Sequence, residues 1–476
     1  MDESAPLSSS GSVASAPSSP GSRPASKAAS RQSMVSRLKE RRSRILSYYN
    51  SGIHHSHPVS YVLHSLSSSS RFSTDASLLW YCMVGCASCL NQGKIDFVGW
   101  KALVWELDKF RSKLGRQEQE VVMGEDGRTQ VTLSSAGAIL KESEFRFLML
   151  SSWSLFEAMY YSNYVASRMS VFKGSGEAKL KEMLAKMGIP LEEAKQPWPF
   201  MKPQLRSKVK KMINAYKAEY SLQDLEIESF KMVTGFNSIL SCFDVACACQ
   251  AILDEDSESG EVSKRAVAEA TDALMVGGDT DEEGMSAATL VNGGNIGGRG
   301  LSRGVKLAKT NRVKIIKTAV VMVEKSEIVT YKHFRFAYIH ATSLGVNGGI
   351  ANKNNKENAA TSNLFGSASN LAQLATFLMD IHRENGKWKG RKAKPLILLA
   401  ERPEDGMYLV GAYNCLDTAG SVASNRFGLR FEMAAQQCGS GPDVKVVRNR
   451  FENSTVEVPR KSVQNFVQQL HLIMEQ

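Results

Sequence analysis

The sequence predicts a mixed α/β protein in which a mainly helical N-terminal and middle part precedes an α/β C-terminal part. From about Val35 to Leu253, apolar residues recur at intervals of three and four, which is typical of helices packed on a core. From Leu396 onward, short apolar runs alternate with helical segments, as in α/β domains. The chain has 476 residues and is 43% hydrophobic, which is enough for a sizeable core and for two or three domains.

The N-terminal segment, residues 1–36, is rich in Ser, Ala and Pro and almost free of large apolar residues. It cannot bury enough surface to offset the entropy of ordering, so we expect it to be disordered. A short basic run follows, and its charges are Arg37, Lys39, Arg41, Arg42 and Arg44. We interpret this run as the polar face of a helix; a nuclear-import or phosphate-binding patch is the alternative.

Residues 37–150 are predicted to form helices followed by a loop. The stretch from Ala76 to Phe110 is dense in Leu, Trp, Met and Cys, which indicates buried helices. The apolar positions at helical spacing are Trp100, Leu103, Leu107 and Phe110. The segment Gly115–Thr132 is polar and is predicted as a loop.

Residues 151–253 are predicted as a further helical region. We expect a long, largely buried helix that begins before this region, with apolar positions Phe145, Leu148, Met149, Leu155, Phe156 and Met159. A second helix carries Leu180, Met183, Leu184 and Met187, and stops at Gly188 with Pro190 beyond it. A third has the apolar stripe Leu205, Val209, Met212, Ile213 and Tyr216. Its other face is basic, with Arg206, Lys208, Lys210 and Lys211.

Residues 254–300 change from acidic to Gly-rich and are predicted as a flexible linker around one weak helix. A basic amphipathic helix is expected from Leu301 to Val323, with the apolar side Val305, Ala308, Ile315, Ile316 and Val320. Four of its basic residues are candidate contacts to DNA or phosphate: Arg303, Lys306, Arg312 and Lys317. The alternative, which we favour slightly, is a helix packed on a sheet with a solvated lysine face.

The C-terminal region, residues 301–476, contains a low-complexity insert rich in Gly, Asn and Ala at residues 345–370. Strands are predicted at Leu396–Ala400, Met407–Tyr413, Val444–Val447 and Thr455–Val458, with a turn at Asp405-Gly406. One helix is predicted through Phe427, Phe431 and Ala434. The last helix is expected to start at Pro459 and to carry Val463, Phe466, Val467 and Leu470 on its apolar face.

The cysteines do not have the spacing of a metal site. Cys82, Cys86 and Cys89 fall at i, i+4 and i+7 of a predicted helix, with His54, His55 and His57 upstream. A zinc ribbon instead needs two close pairs on turns, so we interpret these thiols as core residues. Cys242, Cys247 and Cys249 are interpreted in the same way. The eight cysteines do not resemble a disulfide framework, and reduced thiols in the cytosol or nucleus are expected.

No residue is assigned to catalysis or to a cofactor. The glycine run Gly293–Gly300 lacks the preceding strand and the Gly-Lys-Ser/Thr sequence of phosphate-binding loops. The acids Asp254, Asp256, Asp279 and Asp281 have no histidine nearby and are interpreted as solvated linker residues. The sequence has no run of about 18 apolar residues and begins without a secretory signal, so no membrane segment is expected. The net charge of +11 favours contact with nucleic acid or another acidic surface.

Several segments together resemble the cell division control protein 45 family. The basic segment from Lys39 to Tyr49 is similar to the helix that precedes the family's middle section, and Leu79–Tyr81 with Val84-Gly85 resembles the next helix. Further segments match in order and spacing: Trp153–Leu155, Ala166–Phe172, Leu184–Leu191, Gly235-Phe236 with Asp244-Val245, and Arg426–Gly428 with Phe431-Glu432 and Ala434-Ala435. The resemblance extends from about Val35 to the C-terminus.

The resemblance implies a fold related to DHH phosphoesterases and bacterial RecJ nucleases. We accordingly expect residues 37–150 to be a helical remnant of the DHH-like lobe, 151–253 a helical interdomain region and 301–476 a DHHA1-like α/β domain. Most of the N-terminal lobe is expected to be missing, because a Ser/Ala/Pro tail stands in its place. The resemblance also implies core positions for Trp153, Leu155, Phe236, Phe427 and Phe431.

The same resemblance implies a non-catalytic nuclear factor of DNA replication initiation and elongation, with no cofactor. Its expected partners are the minichromosome maintenance helicase ring and the GINS complex, with which the family forms the replicative CMG helicase. Replication origin chromatin and single-stranded DNA are further expected partners. Two alternatives stay open: a DHH-type single-strand exonuclease, if a missing N-terminal lobe is restored, and a free-standing single-stranded DNA-binding protein.

Overall fold

The computed structural model describes most of the chain, with gaps between the ranges that follow. They are residues 34–45, 55–70, 75–114, 122–123, 129–130, 137–234, 239–255, 264–275, 299–339, 364–402, 406–415, 427–438, 446–448 and 454–475. A first unit, Met1–Gly52, contributes helix α1 (34–45), all of whose side chains are exposed. The helix expected over the basic run is confirmed, and the nuclear-import or phosphate-binding alternative stays a prediction. The other described residues belong to a second compact unit, Ile53–Gln476.

Helices form most of the described chain before residue 275. They are α2 (Val59–Ser69), α3 (Ala76–Asn91), α4 (Phe97–Leu114), α5 (Leu155–Tyr160), α6 (Asn163–Met169), α7 (Gly174–Lys186), α8 (Leu191–Lys195), α9 (Pro203–Tyr216), α10 (Cys242–Glu255) and α11 (Lys264–Leu274). The helices predicted over Ala76–Phe110, and those predicted with Leu180 and with Leu205, are confirmed. Gly188 has a φ of 70° and follows the end of α7, as its position before Pro190 predicted.

A three-stranded antiparallel sheet, which the sequence did not predict, lies within this helical part. Its strands are β3 (Ile139–Phe145), β4 (Glu226–Val233) and β5 (Ile239–Ser241), in that order across the sheet. Two short paired strands, β1 (Val122–Met123) and β2 (Thr129–Gln130), precede it within the segment predicted as a loop.

The long helix predicted through Phe145 and Met159 is wrong, because the backbone is interrupted twice. Met149 adopts a left-handed conformation with a φ of 48°. Ser154 then caps a new helix, since its side chain accepts a hydrogen bond from the Glu157 backbone N–H over 3.1 Å. The apolar residues on both sides of these interruptions pack on the protein core, and their spacing therefore imitates that of a single helix.

The C-terminal part is built on a six-stranded sheet. Its strands are β6 (Val329–Thr330), β7 (Arg335–Ile339), β8 (Leu396–Arg402), β9 (Met407–Tyr413), β10 (Val447–Arg448) and β11 (Thr455–Pro459), in the order β10–β11–β9–β8–β7–β6. Strands β7 and β8 are parallel, and the other neighbours are antiparallel. The helices of this part are α12 (Arg299–Glu324), α13 (Ala368–Glu384), α14 (Phe427–Gln437) and α15 (Val463–Glu475).

Strand β8 shows that this sheet is covered on both faces. Leu396, Leu398 and Ala400 pack in the core that includes α13, which we call the first core. Ile397 and Leu399, on the opposite face, pack in the core that includes α14 and α15. Burial on both faces explains the continuous apolar run of this strand. The predicted mixed α/β fold is confirmed.

The last helix begins later than the sequence predicted. Pro459 is the final residue of β11, and a short 3-10 turn, Arg460–Ser462, separates it from α15. The strand predicted at Val444–Val447 is described only from Val446 onward, and its paired part is β10. No helix within the described ranges has the length and apolarity that a membrane crossing requires.

Two segments predicted as linker or insert contain packed structure. Helix α11 buries Ala266, Ala270 and Ala273 in a core formed with α3, α4 and α10, which we call the second core. At the end of the low-complexity insert, Leu364 and Phe365 are buried in the first core. The remaining residues of both segments lie largely outside the described ranges, as do the tail before residue 34 and Phe236. The boundaries predicted at residues 150, 253 and 300 stay predictions.

Candidate nucleic-acid interface

Helix α12, which carries the four candidate DNA contacts, connects two cores. At its N-terminal end Leu301 is buried in the second core, whereas Ile315, Ile316, Ala319 and Met322 are buried in the first core. With 26 residues the helix is about 39 Å long. Gly304 allows close contact with α10, because a Cβ there would lie 2.7 Å from the carbonyl oxygen of Ala248. The helix is therefore a continuous brace between the two packed regions.

Arg303 is engaged by carboxylates of neighbouring helices. Its guanidinium forms ion pairs with Glu255 of α10, at 2.5 Å, and with Glu269 of α11. The side chain is 40% exposed, so these pairs lie at the surface. Because these two carboxylates compensate its positive charge, Arg303 attracts a phosphate less strongly than an unpaired arginine would.

Arg312 lies inside the protein, so the prediction that it contacts DNA from the surface is corrected. The residue is 6% exposed. Its Nε donates a hydrogen bond to the Tyr161 carbonyl oxygen over 2.9 Å, and another guanidinium nitrogen donates to the Asn163 side chain. Burial lowers the pKa of Arg312 to about 10. The helical repeat of about 100° per residue places it on the apolar face with Ile315 and Ile316, a signal that the sequence already contained.

Lys306 and Lys317 are both exposed on the solvent side of α12. They lie about 20° apart around the helix axis and about 16 Å apart along it. Exposed Thr310 lies between them on the same side. Among the described residues, neither lysine forms an ion pair with a carboxylate. This face offers two uncompensated positive charges, so of the four predicted contacts these two fit a phosphate backbone.

A half-buried acid–base cluster, which sequence reasoning missed, lies where the small sheet meets α10 and α12. Lys231 of β4 is 2.9 Å from Glu142 and 3.6 Å from Glu144 of β3. Ser241 donates to Glu144 over 2.7 Å. Burial raises the pKa of the Glu144 carboxyl to about 7. No local sequence pattern could predict this cluster, because β3 and β4, which supply its residues, are more than 80 residues apart in the chain.

Asp244 of α10 completes this cluster from the other side. Its carboxylate accepts a hydrogen bond from Ser151 over 2.7 Å, and burial raises its pKa. Lys309 of α12 lies near Asp244 and donates to the Ser152 carbonyl oxygen. Serine hydrogen bonds and nearby lysines hold these carboxylates in a structural junction, in which Glu144 Oε1 is buried with only the Lys231 ammonium 3.6 Å away.

The predicted core cysteines pack mainly between α3 and α10. Cys82, Cys86 and Cys242 are buried, and Asn91 donates to the Cys247 sulfur over 3.3 Å. Burial raises the pKa of the Cys242 and Cys247 thiols to about 12, so both are protonated at neutral pH. Within the described ranges, no group of three His, Cys, Asp or Glu side chains is arranged to hold a metal ion.

Asp254, predicted as a solvated linker residue, is instead part of the folded structure. It belongs to α10, and its carboxylate accepts hydrogen bonds from Ser367 over 2.8 Å and from Gln250 over 3.0 Å. Burial raises its pKa to about 6. Asp256, Asp279, Asp281 and most of the glycine run lie outside the described residues.

Comparison with known proteins decides the family. The sequence profile of the CDC45 family matches residues 8–473, nearly the whole chain. The chain belongs to the CDC45 family. This CDC45-family protein is 26% identical to the cell division control protein 45 homolog of Schizosaccharomyces pombe over 457 residues, which cover 91% of this chain and 66% of that protein. It is 22% identical to the Homo sapiens homolog over 83% of this chain and 61% of that protein.

The fold also matches a solved member of the family. The crystal structure of CDC45 from Entamoeba histolytica aligns with a TM-score of 0.63 and 18% identity, and covers 89% of this chain and 73% of that one. Trp153, Leu155, Phe427 and Phe431 are buried, as the resemblance implied. The chain spans about two thirds of the length of the S. pombe relative.

Proposed function

We propose that this CDC45-family protein is a non-catalytic scaffold and activator of the replicative CMG helicase, working in the nucleus at origins and forks. Its partners would be the minichromosome maintenance ring and the GINS complex. The observation that carries the proposal is the family match over residues 8–473. A match that runs in one continuous order over most of the chain supports a shared role in replication.

The architecture supports a bracing role. Helix α12 is fixed to α10 and α11 through Arg303, and to the α5–α6 turn through Arg312. A rigid helix that joins two cores transmits load between surfaces on either side of it. This property suits a subunit that holds other subunits in place.

The surroundings of the Glu144 and Asp244 carboxylates support a non-catalytic role. Glu144 and Asp244 are half-buried and are contacted by Ser241, Ser151 and Lys231. A two-metal phosphoesterase needs carboxylates that converge on an open site where a phosphodiester can bind. These side chains instead face one another across packed elements, which fits a structural role.

We further propose a secondary contact to single-stranded DNA or chromatin through Lys306 and Lys317. Both are exposed on one side of α12 and lack ion-pair partners among the described residues. Such contacts would be sequence-independent and sensitive to salt. They would hold DNA close to the helicase without reading bases.

The proposal is tested by affinity purification of the tagged chain from S-phase nuclei, followed by mass spectrometry. Enrichment of the minichromosome maintenance ring and GINS over an untagged control is expected. A Leu155→Asp variant, which disrupts the first core, serves as the unfolded control and is expected to lose both. Recovery of neither complex with the correctly folded chain would contradict the proposal.

A further inference from the structure

Helix α4 presents a tryptophan to solvent. Trp105 is 61% exposed, whereas Trp100 on the opposite side of the same helix is fully buried. Val98, which is 75% exposed, lies two turns before Trp105, and exposed Ala102 lies between them. These apolar side chains occur at i, i+4 and i+7, so they form one continuous stripe along α4.

The charges beside this stripe are positive. Lys101 and Lys109 lie one turn before and one turn after Trp105, and both are exposed. The Lys109 ammonium is 3.0 Å from the centroid of the Trp105 ring, a cation–π contact. Among the described residues, neither lysine is paired with a carboxylate.

The two acids of α4 near the stripe are already engaged by other residues. Glu106 accepts a hydrogen bond from the Tyr61 hydroxyl of α2. Asp108 pairs with Arg111 at 2.7 Å and with Lys141 at 3.5 Å. Both acids are therefore compensated, whereas the charges of Lys101 and Lys109 beside the stripe remain unpaired among the described residues.

We propose that the α4 stripe, defined as Val98, Lys101, Ala102, Trp105 and Lys109, docks an acidic amphipathic helix of another protein. Exposed tryptophan is the residue type most enriched at binding hot spots. The apolar spacing suits the apolar face of a partner helix, and the lysines suit acids along that helix. This inference goes beyond the helicase role and does not depend on it.

The geometry favours this partner over single-stranded nucleic acid. Bases bind to exposed aromatic faces by stacking, but Lys109 already covers one face of the Trp105 ring. Val98 and Ala102 offer a base neither a hydrogen bond nor a π surface. Both aliphatic side chains are instead suited to apolar contact with a helix.

Fluorescence anisotropy on the full chain tests the proposal with three labelled probes. They are a synthetic helical peptide with leucines on one face and glutamates beside them, the same composition in scrambled order, and oligo-dT. We expect the amphipathic peptide to bind in a salt-sensitive way, and Trp105→Ala to weaken it about tenfold or more. The double variant Lys101→Glu, Lys109→Glu is also expected to weaken binding of the amphipathic peptide. The matched double variant Lys179→Glu, Lys325→Glu replaces exposed lysines elsewhere and should bind like the parent.

The results distinguish an acidic helix from nucleic acid as the ligand of the α4 stripe. Equal affinity for the scrambled peptide, or an unchanged affinity in Trp105→Ala, would overturn the proposal. Oligo-dT binding that depends on Trp105 would assign the stripe to nucleic acid instead. A photo-crosslinking amino acid at Val98 supplies a second readout in cells. It should capture an acidic, amphipathic segment of another chain, and a crosslink to nucleic acid or to this chain itself would contradict the inference.

Discussion

Arg312 of α12 donates a hydrogen bond from Nε to the carbonyl oxygen of Tyr161, 2.9 Å away at the α5–α6 turn. The arginine is 6% exposed and also donates to the Asn163 side chain. A basic residue in a lysine-rich helix is thus used for internal packing. The contact fixes the middle of α12, between the ends that lie in the two cores.

Arg312→Met is expected to destabilise the fold. The substitution leaves the Tyr161 carbonyl and the Asn163 side chain without their buried donor, which costs about 1–3 kcal/mol. Chemical denaturation measures the change in unfolding free energy. Lys317→Met, on the exposed side of the same helix, is the control and should change it by less than about 0.5 kcal/mol. Equal effects of the two substitutions would contradict the buried role of Arg312.

Gly304→Ala is expected to destabilise the packing of α12 on α10. Alanine favours helix by about 1 kcal/mol, but its Cβ would lie 2.7 Å from the Ala248 carbonyl oxygen. The overpacking should cost about 1–3 kcal/mol and lower the thermal midpoint. Gly174→Ala is the matched control, because no atom lies within 4 Å of the added Cβ at the start of α7. A Gly304→Ala midpoint equal to or above that of Gly174→Ala would refute the close contact.

Lys306→Glu combined with Lys317→Glu is expected to weaken binding to oligo-dT and to reduce its salt dependence. For single strands, each lost phosphate contact lowers the slope of log K against log salt by about 0.7. Anisotropy titrations at several salt concentrations measure this slope. Lys179→Glu combined with Lys325→Glu controls for net charge. If both double variants change the slope equally, the α12 face has no special role.

Glu144 is expected to make stability fall as the pH rises. Its folded-state pKa is raised by burial to about 7, above the ordinary 4.5. Between those values the unfolded state releases the proton more readily, so the stabilisation is complete below about pH 4.5 and is lost up to about pH 7. Glu144→Gln should reduce this dependence, as measured by denaturation midpoints across that range, and Asp254, whose pKa burial raises to about 6, should account for part of what remains. The same slope in the variant would show that Glu144 is not the titrating group.

Local patterns explain which elements the sequence predicted well. Strand β9 has the predicted bounds, Met407–Tyr413, because the dipeptide Asp-Gly, a turn signal in the sequence, precedes a compact apolar run. The helix through Phe427 and Phe431 was predicted because its buried face repeats at helical spacing. Such features depend on neighbours within a few residues, which a single sequence displays.

The misses have a common physical origin in contacts between distant segments. Strand β3 contains Glu142, Ser143 and Glu144, and it is stabilised by pairing with β4, which lies far along the chain. At the candidate interface, Arg312 and Lys306 were both predicted to contact DNA because both are basic. Their angular positions on α12, and not their residue types, determine that Arg312 is buried and Lys306 exposed. The acid–base cluster was invisible for the same reason, because its members come from separate elements.

The measurement that tests the central claim most directly is DNA unwinding by a purified minichromosome maintenance ring and GINS, with and without this chain. We expect the chain to stimulate unwinding in a concentration-dependent way, and neither to cleave nor to unwind DNA when alone. Leu155→Asp, which disrupts the first core, should give no stimulation. Unwinding that is unchanged by the folded chain, or manganese-dependent nuclease activity of the chain alone, would contradict the account.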